Sequence, residues 1–452
     1  MSGQIEVVYK RASFTSEQDA IARSVSAARG TEQRQLDFPA AGKLVQILHV
    51  EPGTEDAALA VLRANPVVEQ ASRTAVRHLL STTAAFTNDP LFLGISVPAS
   101  PPLYQRPNYG GQWDMHAICA ANAWGYGNAN STAQTYPGAL GGSNSFPIAI
   151  IDTGADTTHP ELTSHIIYAE SDVGGVTTVG TSAVTDTDGH GTNVAGIAAA
   201  IGGNGFGFAG VAYNAPLMIF RVFPNTNCGT KGCDAQGSDV GLAIQHAVAQ
   251  GAKVISMSLG SPSADSAEET AVAAAVRAGV VVVAASGNES SSMLDYPGAD
   301  PGVIAVGASG LDDSTSTVTE TVASYSNYDA SHPATWGLVA PGGTASDAND
   351  GDTYHWIENL YTSQAADSSS FCRPDPNVAT GQNDCRILIA GTSQATPHVA
   401  GAAALLLSVG VAPSNVETLL CNNATNISNV RQGCGRLNVY KAMAAAVGDP
   451  SP

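Results

Sequence analysis

The chain has 452 residues, 44% of them hydrophobic and only 13% charged, with a formal net charge of −20 at pH 7. That length suffices for one large and one small domain around a sizeable core, and no apolar run approaches the ~18 residues of a membrane span. An acidic surface repels phosphate backbones, so neither nucleic acid nor a membrane is an expected partner.

The charge is unevenly placed. Residues 1–80 hold nine basic and nine acidic side chains, so the whole acidic excess lies beyond them, which marks a domain boundary. Within this neutral stretch QIEVVYKR, KLVQILHV and a short VVEQA read as strands. The intervening TEDAALAVLRANP reads as a helix, with Thr54 as its cap and Asn65-Pro66 as its stop. The expectation is a small α+β domain over residues 1–80. Residues 81–112, rich in Pro, Ser, Thr and Gly, read as an exposed connection. The beginning, MSGQIEVVYKRASF, lacks the apolar stretch of a secretory signal.

From Phe146 the pattern changes to short apolar runs, PIAIIDTG, VISMSLGS, VVVVAASGN and VIAVGAS. Helical stretches such as SDVGLAIQHAVAQG and SAEETAVAAAVRAG alternate with them. Such alternation predicts an α/β domain over 113–445, a parallel sheet with helices on both faces, followed by a tail at 446–452. Its chemistry is then expected at the carboxyl ends of the strands. Three close cysteine pairs, Cys228/Cys233, Cys372/Cys385 and Cys421/Cys434, read as local disulfides of an oxidising, extracellular compartment, with Cys119 left over.

Three residues at such ends carry candidate chemistry. Asp152 closes the strand IAIID, His190 lies between glycines in DTDGHGTNVAG, and Ser393 opens the long apolar helix of GTSQATPHVAGAAALLL. Taken singly, each reads more simply as a cap or a structural side chain. Taken together, an Asp, a His and a Ser on Gly-containing turns supply a nucleophilic relay. The imidazole deprotonates the serine hydroxyl, and the carboxylate fixes the imidazole tautomer. Asn288, just beyond VVVVAAS, either closes a turn or donates its amide to a developing oxyanion.

The motifs IAIIDTGADTTHPEL, DGHGTNVAGIAAA, SMSLGS, AASGN, YPGADPGVIAVGAS and GTSQATPHVAGAAALL, in this order over residues 86–445, resemble those of subtilisin-like serine proteases. The resemblance implies a secreted, monomeric endopeptidase with the triad Asp152, His190 and Ser393 and the oxyanion donor Asn288, needing no cofactor for catalysis. It implies that Ser258, Leu259 and Gly260 pair with the backbone of an extended peptide substrate. Ala284, Ala285, Ser286 and Gly287 match a wall of the first specificity pocket. Two positions depart from the pattern: Asn193 stands where a second His is usual, and Gln394 follows the nucleophile where Met is common.

Residues 1–80 resemble, chiefly through KLVQILHVEPG and LAVLRANPVVEQA, the inhibitory propeptide of such enzymes, which would act as an intramolecular inhibitor and chaperone; a permanent accessory domain is the alternative. TNDP at Thr87 to Pro90 looks like a mature amino terminus, which places processing between about residues 78 and 87. Asp89, Glu161, Asn204 and the carbonyls of Ile201, Phe206 and Phe208 resemble a structural Ca²⁺ ligand set, although Glu161 replaces an Asp and a Gly-rich loop also folds without metal. Asp295, before Tyr-Pro-Gly, falls near the floor of the first specificity pocket in the family. There a carboxylate favours Lys or Arg before the cut, the alternative being a solvated loop acid. A sedolisin-type acid peptidase, which uses Glu and Asp in place of His, is the competing enzyme class; DGHGT argues against it. A non-catalytic binding protein on the same fold is the third reading. With a neutral His190 as base, activity is expected to fall as pH drops through the ordinary histidine value near 6.5.

Overall fold

The computed structural model describes residues 4–10, 25–38, 43–73, 89, 112–125, 141–224, 234–312, 319–344, 356–374 and 383–449. The Cys228/Cys233 pair and, apart from Asp89 and Gln112, the connection at 81–112 lie outside them. The chain divides into two compact units, Met1–Ser81 and Thr82–Pro452.

The first unit has four antiparallel strands, β1 (Gln4–Lys10), β2 (Thr31–Phe38), β3 (Lys43–His49) and β4 (Val68–Arg73), in the order β2-β3-β1-β4. Helix α1 (Glu55–Arg63) joins β3 to β4 and buries Ala58, Leu59 and Leu62 against Ile5, Val7 and Leu48. Strand β2, with the polar sequence TEQRQLDF, has no apolar alternation to announce it, and only its pairing with β3 makes it a strand. Thr54 precedes α1 but its side chain does not cap it. Its hydroxyl donates to the Glu51 carbonyl at 2.7 Å, and Glu55 reaches back to the Gly53 N–H at 2.9 Å.

The second unit is built on a nine-stranded sheet. Its parallel centre comprises β5 (Ile148–Asp152), β6 (Ile166–Val173), β8 (Leu217–Arg221), β9 (Val254–Met257), β10 (Val281–Ala285), β11 (Val303–Asp312) and β13 (Leu338–Pro341). Strands β7 (Val176–Val179) and β12 (Thr319–Val322) add antiparallel edges to β6 and β11. The order β12-β11-β10-β9-β5-β8-β6-β7, with β13 on β11, is the expected α/β fold.

Both faces are covered because alternate residues point to opposite sides. Ile148 and Ile150 join one apolar core with helices α2 (His190–Ala199) and α5 (Thr392–Ser408), whereas Ala149 and Ile151 join another with α3 (Gly237–Ala249) and α4 (Ser266–Arg277). A small sheet of β14 (Ile357–Leu360), β16 (Asn383–Ile389) and β15 (Cys372–Pro374) completes the unit, with the Cys372–Cys385 disulfide joining β15 to β16. Cys421 and Cys434 form the second described disulfide, and Cys119 is free. Among the described residues no helix is long and apolar enough to cross a membrane.

Candidate active site

The carboxyl ends of the central strands converge on one cleft. Strand β5 delivers Asp152, 1% exposed, and the Thr153 N–H holds one of its oxygens at 2.7 Å. The same oxygen, Oδ1, lies 2.7 Å from His190 Nδ1. His190 is the first residue of α2, following Gly189 at φ 101°. A side chain on Gly189 would begin 2.1 Å from the Tyr361 ring, so the turn needs glycine for space as well as conformation. Burial disfavours the His190 imidazolium, but Asp152, with Asp188 and Asp186 beyond it, outweighs burial and pushes the group up to about 9. The sequence-based value near 6.5 is thus displaced by the buried carboxylate.

Ser393 is the second residue of α5, after Gly391 at the cap, and sits at the positive end of a 17-residue helix. Its hydroxyl donates to the Ser258 carbonyl at 3.3 Å, while the Ser258 hydroxyl donates to the Ser393 carbonyl at 2.7 Å. Asn288 follows β10, and its side-chain oxygen accepts from both the N–H and the hydroxyl of Thr392 at 2.9 Å. With the oxygen so engaged, the amide N–H groups are the part left for a ligand beside Ser393. A cleft of about 800 Å³ is lined by His190, Ser258, Leu259, Gly260, Asn288 and Ser393 among others, with Asp152 buried behind it.

The sequence profile of the subtilase family, Peptidase S8, matches residues 143–436. The chain belongs to the subtilase family. This subtilase is 35% identical to thermitase of Thermoactinomyces vulgaris over 302 residues, 66% of this chain and 88% of thermitase. It is 32% identical to subtilisin BL of Lederbergia lenta over 325 residues, 71% of this chain and 97% of that protein. Among solved structures it resembles a protease from Pseudoalteromonas arctica, with a TM-score of 0.57 and 26% identity over 80% of this chain and 100% of the other. Sphericase gives a TM-score of 0.54 and 29% identity over 72% of this chain and 97% of its own. The subtilase is a serine endopeptidase, and its chemistry needs no cofactor.

Ala285 and Gly287 line the cleft of the subtilase, but Ala284 and Ser286 do not. Strand alternation turns Ala284 into the α3/α4 core and points the Ser286 hydroxyl at the Asn327 carbonyl, 3.0 Å away. Asp295 lines the cleft and is 6% exposed. A side chain on Gly287, whose φ is 105°, would start 2.1 Å from Asn327 Nδ2 and 2.9 Å from the Asp295 carboxyl carbon, so glycine there keeps the acid accessible. Burial, with Glu289 nearby, pushes the Asp295 carboxyl up to about 6.

Sequence reading passed over Asp186, which organises the histidine turn. It accepts from the N–H groups of Gly189 at 2.8 Å and Thr192 at 2.9 Å and from the Thr153 hydroxyl at 3.0 Å, while Thr153 in turn accepts from the Gly191 N–H at 2.8 Å. Its place in DTDGHGT, four residues before the histidine, was the available signal. The two departures from the family pattern touch each other. Gln394 Nε2 donates to Asn193 Oδ1 at 3.2 Å, Asn193 Nδ2 donates to the Leu360 carbonyl at 3.2 Å, and both side chains are fully buried.

Asp89 and Glu161, also fully buried, meet at the Gly-rich loop after α2. Asp89 accepts from the N–H groups of Gly203, Asn204 and Gly205 at 2.7–3.2 Å, and Asn204 Nδ2 lies 3.4 Å from Glu161 Oε1. Asn204 Oδ1 accepts from the Phe206 N–H at 2.9 Å. Two buried carboxylates that meet an amide of this loop suit a hard cation.

Proposed function

We propose that this subtilase cleaves peptide bonds through Asp152, His190 and Ser393 with Asn288 as oxyanion donor. The observation that carries the reading is the 2.7 Å pairing of His190 Nδ1 with buried Asp152 beside Ser393 and Asn288 in one cleft. A substrate enters extended along Ser258, Leu259 and Gly260, and its backbone N–H takes the Ser258 carbonyl that the Ser393 hydroxyl holds. The released hydroxyl attacks the scissile carbonyl as His190 Nε2 removes its proton. The oxyanion forms against the Asn288 amide and the N-terminus of α5, and His190 then protonates the leaving amine. Asp295 on the pocket floor, with Glu289 near it, supports a preference for Lys or Arg before the cut.

The enzyme is synthesised as a monomeric, secreted zymogen whose residues 1–80 serve as inhibitor and chaperone until cut at about residues 78–87. Calcium held by Asp89, Glu161, Asn204 and the carbonyls of Ile201, Phe206 and Phe208 stabilises the mature unit. The Asp152–His190 pair favours this mechanism over a sedolisin-type one, which has no use for an imidazole. The test is the intact mass, over time, of the purified chain beside Ser393→Ala. Loss of about 80 N-terminal residues by the wild type alone is the expected result. If both stay whole at neutral and acidic pH with calcium, self-processing is wrong; failure of the wild type to cleave any peptide at pH 8 overturns the enzymatic reading itself.

A further inference from the structure

Strand β6 places Tyr168, Glu170 and Asp172 on one face, since residues two apart in a strand share a side. Helix α3 covers that face and, two turns apart, brings Asp239 and His246 towards it. Asp239 accepts from the N–H groups of Gly174 and Gly175 in the β6–β7 turn at 2.7 and 2.9 Å. His246 Nδ1 bonds to Glu170 Oε1 and lies 3.5 Å from Asp172 Oδ1. Ligand atoms of Glu170, Asp172 and His246 all fall within 4.8 Å of one another, the one such trio among the described residues.

The charges in this trio do not balance. Glu170 is 2% exposed and Asp172 0%, and both carboxyl groups lie against the His246 ring, so two buried acids share one basic partner. Asp172 Oδ1 accepts from the Thr177 hydroxyl at 2.6 Å, whereas its Oδ2 is buried with no hydrogen-bond partner. One imidazolium neutralises at most one of the two acids, and an uncompensated buried carboxylate is costly. None of the three residues lines the substrate cleft.

We propose that Glu170, Asp172 and His246 form a binding site for a divalent transition-metal ion of the zinc type, which clamps the β6–β7 hairpin onto α3. An imidazole with two carboxylates suits Zn²⁺, whereas Ca²⁺ takes oxygen ligands alone. The His246 side chain is 32% exposed, which gives the ion a path in and leaves a coordination position for water. Tyr168 donates to Glu170 Oε2 and Thr177 to Asp172, and such outer hydrogen bonds orient metal ligands.

Zinc titration of the full-length Ser393→Ala chain, which cannot digest itself, tests the site by calorimetry in a calcium-containing buffer. One ion is expected to bind and to raise the melting temperature. Asp172→Asn and His246→Gln, each added to that background, should weaken binding by at least about tenfold and abolish the thermal shift. Thr177→Val should weaken it by about tenfold while leaving every ligand in place. The melt of each variant in chelator checks that it folds, and either ligand variant suffices if the other does not. No zinc uptake by the parent overturns the proposal. So does equal affinity in the parent and a folded ligand variant, since the ion then sits elsewhere, for instance at His190.

Discussion

Asp152 does two things to His190: it fixes the ring through Nδ1, and it raises the pH at which the ring loses its proton to about 9. In the proposed mechanism the base form is the neutral imidazole, so kcat/KM on a peptide substrate should keep rising with pH well past 6.5, towards 9. Replacing Asp152 by Asn removes the charge that holds the proton. The acid limb should then move to lower pH while kcat falls by about 10⁴; an unmoved limb would mean that another group titrates. Asp295 carries a second pH signature. Its carboxyl is raised to about 6, so it is charged above that value and neutral below it, and the proposed Arg-over-Leu preference at the residue before the cut should grow as pH rises through 6. Asp295→Asn should lower that preference about thirtyfold, equivalent to ~2 kcal/mol for a desolvated charge pair. Cleavage after Leu or Phe at least as fast as after Arg in the wild type would remove the role assigned to Asp295.

Helices α2 and α5 carry the histidine and the serine, and the Gln394–Asn193 hydrogen bond ties them together beside both residues. Gln394→Met leaves Asn193 Oδ1 buried without its donor and should cost about 1–2 kcal/mol of stability. A double-mutant cycle with Asn193→Leu should recover a coupling of about 1 kcal/mol, read from denaturant melts; strictly additive losses would show the two positions to be independent. This coupling could not be read from the chain, because the partners are 201 residues apart and neither lies in a periodic pattern. The same holds for the backbone bond of Asp186, whose carbonyl accepts from Thr362 176 residues away, and for β2, where a polar edge sequence gives no alternation. Asp152, His190, Asn288 and Ser393 stand out for the opposite reason: Asp152 and Asn288 follow apolar strands, His190 and Ser393 open apolar helices, and each sits at a Gly-containing turn, so the α/β pattern alone brings them to one end of the sheet. Ala284 and Ser286 match the cleft wall through the family resemblance, and the two-residue period of a strand turns them away from the cleft.

At the scale of the molecule, several buried groups titrate in the same sense. The carboxyls of Glu268, pushed up to about 7 by burial, and of Asp300, pushed up to about 6 by burial, hold protons more tightly in the folded chain than in the unfolded one, as does that of Asp295. They therefore add stability as pH falls from those values towards ~4. The contribution of His190 is complete below 6.5 and lost as pH rises to about 9. His159, which burial pushes down to about 4, opposes only below 6.5. The main melting transition of the Ser393→Ala chain should accordingly rise by a few degrees between pH 9 and pH 6.5, as the excess negative charge also diminishes. A melting temperature that falls over this interval would contradict these shifts.

The run Ser258 to Gly260 leads straight from β9 into the cleft, with Gly260 at the surface, and in the proposed mechanism it takes the substrate as a further strand. A polypeptide joining it must first give up its own hydrogen-bonded structure over several residues. Helices and interior strands of a well-folded protein cannot do so without opening, whereas loops and frayed ends can. The rate at which such a target is consumed then follows how often it opens, not only which residue precedes the cut. An enzyme built this way discriminates by the mechanical soundness of what it meets: damaged or partly unfolded proteins disappear first, and intact neighbours persist among them.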